Sequence, residues 1–109
     1  MEINQDQYDE LVMNLVVEGG NARSLAMEAI QEAKKGNLDR ADELLKECDA
    51  ALVEAHNAQT DMIQAEIRGE HIPVMLLMVH AQDHLMDAMA VKDLATEIVD
   101  LYRKMGEKA

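Results

Sequence analysis

Ile72-Pro73-Val74-Met75-Leu76-Leu77-Met78-Val79-His80-Ala81-Gln82-Asp83-His84-Leu85-Met86 runs eight residues without a charge, then sets two histidines and an aspartate among apolar neighbours. Polar groups in such a setting must find partners or cost free energy, roughly 1–3 kcal/mol for each neutral group left unsatisfied and more for a charge. His80, Asp83 and His84 are spaced i, i+3, i+4, which puts them on one helical face. The eight apolar residues 72–79 point all round a helical axis, whereas a helix of a lone three-helix bundle keeps one face in water. Leu85, Met86, Ala88, Met89, Ala90, Val91, Leu94 and Ala95 continue to cover more than one face. This helix is therefore expected to have a second interface, with a homo-oligomer built around it. Local over-burial beneath a loop is the plainer alternative.

Outward from this stretch, the chain reads as helix throughout. There are only two aromatics, Tyr8 and Tyr102, so the core must be Leu, Val, Ile, Ala and nine Met. Such residues suit helices in close contact better than packed sheets, and the scarcity of Gly and Pro leaves no hairpin signature. The first helix is expected over about 6–35, with the stripe Tyr8, Leu11, Val12, Leu15, Ala22, Leu25, Ala26, Ala29, Ile30, Ala33. Lys34-Lys35 oppose the negative end of its dipole and Gly36 stops it. The second helix, about 38–68, carries Ala41, Leu44, Leu45, Cys48, Ala51, Leu52, Ala55, Met62, Ile63 and Ile67 and ends at Gly69. Pro73 suits the first turn of a third helix running to about Met105, since its missing N–H does no harm there. Short connections make an antiparallel up-down-up bundle of helices roughly 45 Å long, an all-α single domain over 1–109. Gly19-Gly20 interrupt the first helix, as a kink, as close helix packing, or as backbone bared beside a reactive site. Residues 36–45 are similar to the helix joint of a tetratricopeptide repeat, but no second copy follows.

The formal charge of −12 argues against nucleic acid and anionic membranes as partners and suits docking to a basic protein surface. No stretch reaches the apolar length of a membrane span, and the acidic N-terminus is no signal peptide. The single Cys48 makes no internal disulfide and reads as a small core residue, which fits a reducing cytoplasm.

A helical His-x-x-Asp-His has three readings. It can bind zinc, although no other His-rich helix supplies a fourth ligand, and His56 and His71 are weak candidates. His80 can be a nucleophile, a neutral imidazole attacking a phosphoryl group through one ring nitrogen while an acceptor holds the other N–H. With no glycine-rich phosphate loop, that group would arrive on a partner protein. Or the trio is structural.

Val79-His80-Ala81-Gln82-Asp83-His84-Leu85-Met86 resembles the active-site signature of the lactose/cellobiose-type enzyme IIA proteins of the bacterial sugar phosphotransferase system. The resemblance extends to Gly20-Asn21-Ala22-Arg23-Ser24-Leu25-Ala26, to Ala33-Lys34-Lys35-Gly36-Asn37 and to Glu54-Ala55-His56-Asn57-Ala58-Gln59-Thr60, and so covers essentially the whole chain. Ala81 leans toward the cellobiose/chitobiose branch.

The resemblance implies a homotrimer of three-helix protomers. It implies that His80 accepts phosphate from the phosphocarrier protein HPr and passes it to a cognate IIB component, in the uptake of a disaccharide of cellobiose/chitobiose or lactose type. It also implies that Asp83 from three subunits surrounds one divalent cation on the three-fold axis. Three carboxylates meeting in an apolar interface cannot all stay charged without a cation or protons, and oxygen ligands favour Mg²⁺ first, or Ca²⁺. His84 is expected to orient His80 or to pack. Gln82 is a further supporting candidate, although its helical angle lies off the His80 face. His56 is expected to be bonded between helices and His71 solvated, with Met75, Met78, Met86 and Met89 in the core. Two rivals remain: a non-enzymatic acidic helical interaction module, and a histidine phosphotransfer domain of two-component signalling, which is usually a monomeric four-helix bundle.

Overall fold

The computed structural model describes residues 4–107. Three helices follow one another, α1 (Gln5–Lys34), α2 (Leu38–Ile67) and α3 (Leu76–Glu107), and the described residues include no strand. They form a rod of 57 × 21 × 19 Å. Asn4 caps α1: its side-chain oxygen accepts from the Gln7 N–H at 2.8 Å, while the Gln7 side chain accepts from the Asn4 N–H at 3.2 Å. This reciprocal pair satisfies two of the donors that a helix start leaves open. Both reversals use a glycine in the left-handed region, Gly36 at φ 87° and Gly69 at φ 92°, where a side chain would be strained.

The core is built largely from small residues. Ala22, Ala26, Ala29, Ala41, Ala55, Ala81, Ala88 and Ala95 are fully buried, with Val12, Leu15, Leu44, Cys48, Leu85 and Val99 filling the space between them. A second, smaller cluster of Ala29, Ala33, Ala41, Leu44 and Val99 closes the end of the rod near Gly36. The buried Cys48 thiol donates to the Ala22 carbonyl at 3.1 Å, the core role expected of it.

Several expectations need correction. The third helix starts at Leu76, three residues after Pro73. The Tyr8 hydroxyl donates to the Pro73 carbonyl at 2.7 Å, and Ile72 is buried. A helix starting at Pro73 would have used that carbonyl for its own ladder. Gly19 and Gly20 do not interrupt α1, which runs unbroken through them. Ile63 and Ile67, placed on the buried stripe of α2, are exposed, as are Met75 and Met86. Met78 is buried and Met89 packs against the core, as expected. Ile63, Ile67 and Met86 lie at the edge of a helix face that no neighbouring helix covers, and Met75 lies before α3 begins.

Candidate functional site

His80 lies in the second turn of α3, on the solvent side of the bundle. Its Nε2 stands 2.9 Å from Nε2 of His84, one turn further on. The ring centroids are 4.3 Å apart and the planes cross at 87°. Two nitrogens at this distance hold one proton between them, so one ring donates and the other offers a lone pair. The i, i+4 spacing produces the contact directly.

His84 is half-buried while His80 is exposed, because the peptide at His84 is the part of α3 against which α1 rests. Gly19 is buried there, and a methyl group added to it would stand 3.1 Å from the carbonyl carbon and oxygen of His84. Of the readings open for the glycine pair, close helix packing is what Gly19 does. Gly20 faces open space.

Asp83 is exposed and turned toward the α2 side, lining a shallow groove with Ile63, Val74, Met78 and Val79. The helix face it shares is also apolar: Leu76, Met86 and Leu94 are exposed on α3, Leu76 at 86% and Leu94 at 63%. Gln82 points away from His80. The Gln59 side-chain amide donates to the Gln82 carbonyl oxygen, and the Gln82 amide approaches the Met78 sulfur at 3.4 Å. Gln82 therefore braces α3 against α2. Gln59 is the buried polar residue of the described chain. Its position in the quoted stretch 54–60 of α2 was the available signal, but its partner was not readable from one strand of sequence.

His56 is not bonded between helices. It is exposed, in a separate groove beside Asn57, Met89 and Lys92. His71 is exposed in the α2–α3 loop, as expected. Among the described residues no three His, Cys, Asp or Glu side chains are grouped to hold a metal ion, which leaves the zinc reading of His80, Asp83 and His84 without a ligand set on one chain.

The strongest titration effects lie away from the histidines. Burial, and then the Asp49 carboxylate, push the Cys48 thiol up to about 11, with Lys92 opposing. The Lys92 ammonium is raised chiefly by its hydrogen bond to Asp49, at 2.9 Å. Among the described residues no helix is long and apolar enough to cross a membrane.

Comparison with known proteins bears out the family resemblance. The family described as PTS system, Lactose/Cellobiose specific IIA subunit matches residues 10–103. The lichenan-specific phosphotransferase enzyme IIA component of Bacillus subtilis is 47% identical over 103 residues, 94% of this chain and 94% of that protein. The crystal structure of the PTS cellobiose-specific enzyme IIA from Bacillus anthracis superposes with a TM-score of 0.89 at 45% identity, over 98% of this chain and 96% of that one. A chain in the solution structures of the IIA(Chitobiose)–HPr complex of the Escherichia coli phosphotransferase system gives a TM-score of 0.78 at 38% identity, over 91% and 96%. With three helices in the same arrangement and the family match running nearly end to end, the chain belongs to the lactose/cellobiose-specific IIA family of the phosphotransferase system.

Proposed function

We propose that this chain is a phosphoryl carrier that accepts phosphate on His80 from HPr and passes it to a cognate IIB component, serving uptake of a disaccharide of cellobiose/chitobiose or lactose type. The observation that carries the reading is the exposed His80 ring with its Nε2 held 2.9 Å from that of His84. A relative of the same fold has been solved with HPr, which supports HPr as the donor.

With the shared proton on His84, the His80 Nε2 carries a lone pair that accepts the His84 N–H and is released as the phosphoryl group arrives, while its Nδ1 keeps a proton. That is the neutral, nucleophilic form of the ring. Attack on phosphorus forms the His80 nitrogen–phosphorus bond as the donor's bond to phosphorus breaks, and the electron pair leaves with the donor. Delivery to IIB is the same exchange in reverse. The His84 N–H, left facing the new phosphoryl group, can donate to one of its oxygens. No sugar needs to touch this chain, and the expected cytoplasmic location is kept.

The reading includes a homotrimer with α3 at its centre. Leu76, Val79, Met86, Leu94 and Leu101 leave an apolar face of α3 uncovered on the single chain, the kind of surface that marks an interaction site. Asp83 lies on that face. One carboxylate per chain is a hard oxygen donor but not a site; three at an axis would suit Mg²⁺. The ion would neutralise their mutual repulsion, with no part in phosphoryl transfer.

Incubation with phosphoenolpyruvate, enzyme I and HPr tests the function. His80→Ala should lose all acid-labile phosphate, while His84→Ala and His56→Ala keep some. Phosphate on another histidine of the wild-type protein sinks the assignment, and none at all favours the acidic interaction module. For assembly, chelation should weaken the wild-type trimer, whereas Asp83→Leu should stay trimeric and ignore chelator. Light scattering that finds Asp83→Leu monomeric with intact helices would contradict the account of Asp83.

A further inference from the structure

We propose that Gly19 is a positioning residue for the His80–His84 ring pair: its missing side chain lets α1 rest directly on the backbone of α3 and so sets the distance between the two imidazoles. The inference rests on the carrier reading of His80. A Cβ at position 19 would meet the His84 carbonyl carbon and oxygen at 3.1 Å and the Leu85 nitrogen at 3.2 Å. All three atoms belong to helical backbone. A crowded side-chain tip can swing aside at little cost, but a peptide inside a hydrogen-bonded helix moves only with its neighbours. A retreat of α3 as a whole would carry both rings together, whereas a tilt of the peptide between His84 and Leu85 turns the His84 ring relative to His80, one turn earlier on the same helix.

The effect on His80 is asymmetric. Among the described residues the His80 side chain has no hydrogen-bond partner besides the His84 ring, and it is otherwise anchored only at its backbone. A tilt at His84 therefore either lengthens the Nε2···Nε2 contact or turns the His80 ring to follow it, and the orientation of His80 changes in both cases. Hydrogen bonds weaken steeply beyond the usual range of about 2.7–3.2 Å, and the contact at 2.9 Å has little to spare. The affected step is orientation of the nucleophile, where small misplacements have large kinetic consequences.

Gly20 provides a matched comparison. It lies on the same turn of α1, gains the same helix propensity on replacement by alanine, and has nothing within 4 Å of its added Cβ. The test compares Gly19→Ala, Gly20→Ala and wild type by ¹⁵N NMR of the histidine rings in the unphosphorylated protein, then by phosphorylation kinetics from HPr. Gly19→Ala should change the Nε2 signals of both His80 and His84, and should slow phosphorylation at saturating phospho-HPr about tenfold with an unchanged KM for HPr. Gly20→Ala should leave the ring signals as in wild type.

Wild-type ring signals in Gly19→Ala, equal shifts in both variants, or a loss confined to KM would overturn the proposal. If Gly19→Ala does not fold, the double variant Gly19→Ala/Gly20→Ala, with its added helix propensity, is read against Gly20→Ala. Failure of that protein to fold as well would also overturn it, because the contact would then hold the bundle rather than the rings. The ring measurement needs no phosphate. A wild-type protein that takes none would overturn the carrier reading, while the ring comparison is decided separately.

Discussion

The two sides of α3 are joined to the rest of the bundle in different ways. Toward α1 the contact is close and apolar: Gly19 lies against the His84–Leu85 peptide, and Ala81, Leu85 and Ala88 are fully buried. Toward α2 the join is looser and partly polar. It is held by the Gln59–Gln82 amide pair, by Lys92–Asp49 at 2.9 Å and by Arg103–Asp42 at 2.7 Å, and an apolar groove stays open between the helices beside Asp83. The histidine pair borders the first seam and Asp83 the second. Groups that must keep a fixed distance sit where backbone meets backbone, while the carboxylate read as an assembly group sits where a neighbour can still enter.

The contrast can be broken from either side. Leu85→Ala empties the close seam and should cost about 2–5 kcal/mol, because buried alanine-lined helices cannot collapse into the hole. Urea denaturation of the purified protein measures it, and a cost under about 1 kcal/mol would mean the seam is not well packed. Gln59→Leu tests the polar seam. It leaves the half-buried Gln82 amide short of a partner, so a loss of about 1–3 kcal/mol is expected by the same assay. A neutral result would show that water replaces the amide.

The smallest effect belongs to the exposed edge of that seam. Asp49→Asn removes a surface ion pair and should cost about 0.2–1 kcal/mol near neutral pH. The same part of the seam also responds to alkaline pH. An unfolded Cys48 loses its proton near 9.0, whereas the buried thiol keeps it until about 11, so the unfolded chain binds fewer protons in that window. Stability must therefore fall as pH rises through it. The raised Lys92 acts in the same direction, its contribution present below 10.5 and lost as pH climbs through its folded value. Cys48→Ala should flatten the decline between about pH 9 and 11, as followed by denaturant midpoints. An unchanged slope would deny the thiol its part.

Much of this is legible in the sequence itself. Gly36 and Gly69 mark both reversals because only the left-handed backbone ends a helix so sharply. The i, i+4 spacing of His80 and His84 already contained their ring contact. What escaped depended on groups distant in the chain. The start of α3 is not readable locally because Tyr8, on another helix, holds the Pro73 carbonyl. The exposure of His56 is not readable either, because spacing gives the face of α2 but not where its neighbours end. Of two adjacent glycines, only the rotation of α1 against α3 decides that Gly19 makes the contact and Gly20 does not.

With no tryptophan and two tyrosines, the molecule carries a natural pair of optical reporters. Tyr8 is buried in the larger cluster and tied to the loop before α3; Tyr102 is half-buried against the smaller cluster near Gly36. They sit toward opposite ends of the rod, so each ring's near-ultraviolet signal belongs to its own end. Nitration or fluorination of one ring at a time would show whether the rod melts as a unit or frays from one tip.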